Sequence, residues 1–225
     1  MIKLVSSGTL LAALVASAVA IGSARPAMAT PTLGIELQES GYTPYSVTSS
    51  NNPLVAVVQP FGTFSTNVEV NTLNTNPLSI DLSSTNISTS TAGTLTVIAS
   101  VSGLTSPIGA TAFLSQISGH LVSGSGGMIT LQTYLSNSDT LFGTDTLLST
   151  LGPSGLPLLL SDMENASTTA PFALTEVLTI AAGGASEFSL DASLTDAPEP
   201  ASLALLGTAL AGMGLIRRRR RFARV

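Results

Sequence analysis

The stretch 172-FALTEVLTIAAGGASEFSLDASL-194 sets the reading of the whole chain. Phe172, Leu174, Leu178 and Ile180 recur at even spacing before Gly183-Gly184, and Phe188, Leu190, Ala192 and Leu194 do so after it. Glu187, Ser189, Asp191 and Ser193 fall on the opposite side of the second run. A period of two is that of a strand with one buried face. Two such runs around a glycine pair, which tolerates positive φ, predict a β-hairpin.

The same alternation extends outward. Leu33, Ile35 and Leu37 form one inward set, Phe64, Val68 and Val70 a second, and Leu78, Ile80 and Leu82 a third. Leu95, Val97, Ala99 and Val101 make a fourth, and Ile129, Leu131 and Leu135 share a face within Met128 to Leu135. Leu54 to Val58 is a short continuous apolar run. With Asn-Pro, Gly and Ser clusters between these segments and no helical period, residues 30–196 are expected to form an antiparallel β-sandwich. Gly124-Ser125-Gly126-Gly127 reads as a loop opening a strand. Thr140 to Pro171, with Gly152-Pro153, Gly155 and Pro157, reads as a long loop crossing between sheets.

Charge narrows the function. All basic residues lie at the ends (Lys3, Arg25, Arg217 to Arg221 and Arg224), whereas all 13 acidic residues lie between Pro26 and Ile216. Such a middle repels phosphate backbones, which excludes nucleic acid as a partner. The chain has no cysteine, so disulfides, thiolate metal sites and cysteine nucleophiles are excluded. Trypsin has no site between Pro26 and Ile216, and complete digestion of denatured protein is expected to leave that stretch intact by mass spectrometry.

The two ends carry addresses. Met1 to Ala29 has a basic start at Lys3, an apolar stretch and small residues at Ala27-Met28-Ala29, the parts of a secretory signal peptide (1–29) cleaved after Ala29. At the other end, residues 197–225 hold Pro198-Glu199-Pro200, an apolar run from Ala201 to Ile216 and the block Arg217, Arg218, Arg219, Arg220 and Arg221. As a helix the apolar run is about 24 Å long against a hydrocarbon core of about 30 Å, a gap that arginine snorkelling and local thinning close. The arginines stay cytoplasmic by the positive-inside rule. The two prolines hold an extended segment just outside the membrane.

In that order, these three parts closely resemble the PEP-CTERM sorting tail of exported Gram-negative bacterial proteins; Ala201-Ser202 continues the signature in its commonest way. The resemblance implies recognition of Pro198, Glu199 and Pro200 by exosortase, a membrane enzyme proposed to cut near the motif. It also implies a transient inner-membrane intermediate, final placement at the cell surface or outside the cell, and an association with exopolysaccharide and biofilm.

Residues 30–196 offer little chemistry. His120 is the sole histidine and reads as a loop residue, and no G-x-S-x-G elbow accompanies it. Asp139, Asp145, Asp162 and Glu164 gather in the irregular stretch and supply the oxygen ligands calcium takes, though without EF-hand spacing. Tyr42, Tyr45 and Tyr134 are the only tyrosines from which to build an aromatic platform. The expectation is a non-enzymatic structural protein of the surface or matrix, without catalytic residues or a required cofactor. The alternatives are a glycan- or calcium-binding adhesion module and a secreted hydrolase using paired carboxylates.

Overall fold

The computed structural model describes residues 30–197 apart from 51, 75 and 76. Twelve strands fill this interval: β1 (Thr32–Glu39), β2 (Tyr45–Ser49), β3 (Leu54–Phe61), β4 (Phe64–Asn74), β5 (Leu78–Thr89), β6 (Gly93–Leu104), β7 (Gly109–Gly124), β8 (Gly127–Ser136), β9 (Thr146–Ser154), β10 (Leu158–Thr168), β11 (Phe172–Ala182) and β12 (Ser186–Ala197). They form two six-stranded antiparallel sheets. Sheet A has the order β2-β1-β6-β11-β8-β9 and sheet B the order β10-β7-β12-β5-β4-β3. The domain is the β-sandwich that the alternation predicts. The predicted signal peptide with Ala27 and Ala29, the motif Pro198 to Pro200, the helix 201–216 and Arg217 to Arg221 lie outside the described residues.

Every inward set read from the sequence is buried between the sheets, with Phe64, Phe113, Phe172 and Phe188 the largest side chains enclosed there. The predicted hairpin at Gly183-Gly184 is corrected. β11 belongs to sheet A and β12 to sheet B, so the connection arches across the core. Both runs bury one face, and two buried faces meet across a sandwich as well as side by side in one sheet.

The glycines serve that arch. Gly124 to Gly127, between β7 and β8, turns from sheet B to sheet A beside it. Ser125 N donates to Ala185 O at 2.9 Å, Gly183 N to Gly126 O at 2.9 Å, and Gly126 N to Ser186 Oγ at 3.0 Å. Gly124 has φ +101°, and a Cβ there would run into the Ala185 carbonyl.

The expected loop over Thr140 to Pro171 is also corrected: it contains β9 and β10, and the change of sheet falls in the short connection between them. β10 is an edge strand whose exposed positions include Leu159 and Met163, so neither face reads cleanly as a buried set. β3 is the opposite edge of sheet B, and its apolar run splits into buried Val55 and Val57 and exposed Leu54 and Val58.

Candidate functional site

Sheet A's outer face is partly covered by its own chain. The connector 137–145 between β8 and β9 folds back over it, with Phe142 N donating to Ser100 Oγ at 2.9 Å and Asp139 Oδ1 accepting from Gly103 N at 2.6 Å. Asp139 and Phe142 both take positive φ, 56° and 62°. Gly34 makes room for this cover, since a Cβ there would lie 2.7 Å from Phe142 Cζ.

Sheet B's outer face carries two neighbouring depressions. The one of about 500 Å³ is lined by Ser118, His120, Leu159, Ser189 and Asp191. The other, of about 310 Å³, is lined by Asn67, Asn86, Ser88, Val58 and Glu187. Register puts His120 opposite Ser189, Ser189 opposite Asn86, and Asn86 opposite Asn67, so one polar row crosses β7, β12, β5 and β4. Strands lie about 4.8 Å apart, so the six strands of sheet B span about 24 Å. His120, expected in a loop, stands on β7, where it is exposed.

Carboxyls concentrate near the centre of this sheet. Burial raises the pKa of Asp81, and the charge of Asp191, a hydrogen bond with it and the charge of Glu69 add to the effect. Beneath them Glu176 faces the core from β11 and is fully enclosed, with neither carboxyl oxygen hydrogen-bonded. Burial pushes its pKa well up, and Asp81 and Asp191 push it further. No lysine or arginine exists between residues 26 and 216 to neutralise any of them. In strand register Glu176 is flanked by Ala99 and Thr133, and Thr133 Oγ1 lies 2.7 Å from Ser115 Oγ across the core. Polar groups thus hold part of the space between the sheets.

The other sequence candidates disperse. Asp145 Oδ2 accepts from Ser136 and Ser138 at 2.7 and 2.8 Å, and these bonds lower its pKa. Asp162 Oδ2 accepts from Ser149 at 2.9 Å, whereas Glu164 lies further along β10. Among the described residues no three carboxylate or histidine side chains are placed to share a metal ion, so Asp139, Asp145, Asp162 and Glu164 are not gathered into one group. Tyr45 on β2 and Tyr134 on β8 stand four strand spacings apart in sheet A, and Tyr42 tilts against Phe61 at 6.4 Å. These tyrosines form no shared platform.

The end of the fold bears on the tail. β12 runs centrally in sheet B to Ala197, and Asp196 at its end is buried with its Oδ1 unpaired, so that burial raises its pKa. Residues 196–221 match the family described as the PEP-CTERM protein-sorting motif. The chain ends in this sorting signal. The PEP-CTERM motif implies export, a transmembrane helix within it, placement at the cell surface and processing by exosortase. Asp196 and Ala197 are both the last residues of β12 and the first of the match.

No curated protein matches the chain. Among solved structures, the carbohydrate-binding module TmCBM61 in complex with β-1,4-galactotriose is 11% identical at a TM-score of 0.31, over 61% of this chain and 87% of that one. A carbohydrate-binding module of the β-sandwich superfamily is 11% identical at 0.31, over 72% and 70%. The enzymatically active domain of bacteriophage CBA120 tailspike protein 4 is 8% identical at 0.33, over 62% of this chain and 20% of that one.

Proposed function

We propose that the PEP-CTERM tail delivers a non-enzymatic structural protein to the cell surface or extracellular matrix, and that its sandwich contacts exopolysaccharide there through the outer face of sheet B. The observation that carries this reading is the polar row of His120, Ser189, Asn86 and Asn67 between two depressions. Hydroxyl, amide and imidazole groups exchange hydrogen bonds with sugar hydroxyls, and strands about 4.8 Å apart present one such group per strand at a spacing close to that of a sugar ring. An acidic domain without lysine or arginine would stay soluble and would contact neutral chains directly. Anionic chains would need bridging cations.

Affinity electrophoresis in gels containing the host's own exopolysaccharide tests the reading. The wild-type domain is expected to be retarded. His120→Ala combined with Asn67→Ala is expected to weaken binding about thirtyfold, from two hydrogen bonds worth about 1 kcal/mol each, with no change in melting because both side chains are exposed. Free migration of the wild type would defeat the proposal.

A further inference from the structure

We infer that β3 is a docking edge for a second copy of this chain: two β3 strands pair antiparallel about a two-fold axis at Val57 and join two six-stranded B sheets into one. The inference goes beyond glycan contact and does not depend on it. β3 returns as β4 through the two-residue turn Gly62-Thr63, so Phe61 and Phe64 form a hydrogen-bonded pair, as does every second pair along this ladder. Thr72 N, donating to Pro53 O at 2.9 Å, fixes the same phase at the far end. The alternate residues Leu54, Ala56, Val58 and Pro60 therefore turn their backbone groups away from β4, towards the open edge. Asn52 Oδ1 accepts from Leu54 N at 3.1 Å, and Pro60 has no N–H. The donors left for a partner are Ala56 and Val58, and among the described residues neither backbone N–H has an acceptor.

Charge selects the occupant. With no lysine or arginine between residues 26 and 216, two copies meet without repulsion only where neither presents a carboxylate. β3 has none, and its outer row is Leu54, Ala56 and Val58, the last 73% exposed. Each other edge is guarded. β10 carries Asp162 and Glu164, which antiparallel pairing about Met163 would set face to face. β9 is interrupted by Gly152-Pro153 and by two register shifts, and β2 has only 5 residues. With the axis at Val57, Ala56 lies opposite the partner's Val58, and both N–H groups meet carbonyls. Leu54 then faces Pro60, so the positions without a free donor meet each other, and the apolar outer side chains pair along the seam. Val58 stands opposite Asn67 within its own sheet, so docking lengthens the polar row instead of covering it.

The chain has no cysteine, so single-cysteine variants report the seam directly. Sedimentation equilibrium of the detergent-solubilised full-length protein is expected to give a dimer. In the same preparation a short bismaleimide is expected to cross-link Val58→Cys and to leave Leu159→Cys monomeric, since Leu159 is similarly exposed but lies on the opposite edge of sheet B. Ala56→Pro removes one outward donor from each copy and keeps every bond to β4. It is expected to weaken dimerisation about thirtyfold, through two lost hydrogen bonds, without lowering the melting temperature of the dilute protein. A monomeric wild type overturns the inference, as does a dimer that Ala56→Pro leaves intact or that Leu159→Cys captures equally. Cross-linking of Val58→Cys to a different protein in cell envelopes assigns the edge to a foreign strand and overturns it too.

Discussion

Replacing Glu176 with glutamine raises the melting temperature of the sandwich at pH 8 and leaves it almost unchanged at pH 4. Glu176 is enclosed, its oxygens lack hydrogen bonds, and burial together with Asp81 and Asp191 raises its pKa well above the ordinary range. Its folded state therefore holds the proton more tightly than the unfolded state, whose glutamate titrates near about 4.3. This group's contribution to stability is fully present below that value. As pH rises towards the folded pKa, ionisation favours unfolding by about 1.4 kcal/mol per pH unit. Asp81 and Asp196 are shifted the same way, so the domain as a whole is expected to be most stable in mild acid. Glutamine cannot ionise, which removes this residue's share of the slope. Glu176→Leu, which puts an apolar side chain among apolar neighbours, is expected to stabilise at least as much at pH 8. Thermal melts of the three proteins at pH 4, 6 and 8 decide the matter, and a lower melting temperature for both variants at pH 8 would mean that the carboxylate is stabilised by a partner.

Phe113→Ala is expected to cost about 3 to 5 kcal/mol, a large share of the 5 to 15 kcal/mol typical of a whole domain. Phe113 on β7 is fully enclosed. The five buried phenylalanines are the bulkiest groups in the core, which lacks tryptophan, and no disulfide offsets the loss of one of them. Chemical denaturation of the excised sandwich would read this as a lower midpoint at unchanged slope. A variant within 1 kcal/mol of wild type would show that the neighbours collapse into the cavity, as poorly constrained sites do.

β7 also shows where sequence reading stops. It is the longest strand, yet the alternation did not reveal it, because its inward row runs Thr111, Phe113, Ser115, Ile117 and then Gly119. Hydrophobic periodicity registers only apolar side chains, and here hydroxyls share the core through the contact between Ser115 and Thr133. β6 was legible because its inward row is wholly apolar from Leu95 to Val101. Alternation predicts a hairpin where the structure has an arch between β11 and β12, because it fixes which face is buried and leaves open which neighbour a strand pairs with. Glu176 could have been found: it interrupts the apolar face of Phe172, Leu174, Leu178 and Ile180 at the even position between Leu174 and Leu178. The polar row of the candidate site had no such signal, since His120, Ser189, Asn86 and Asn67 belong to four strands and only their register assembles them.

The position of β12 bears on how the protein would carry mechanical load while its tail is still in the membrane. A pull transmitted from the membrane enters the domain along β12, which is bonded to β5 on one side and β7 on the other. Force along a strand in that setting loads the two ladders in shear, with many bonds sharing it at once. The same force at an edge strand pulled from its end would open bonds one by one. Shear flow acting on a tethered protein thus meets a fold in which many ladder bonds share the load.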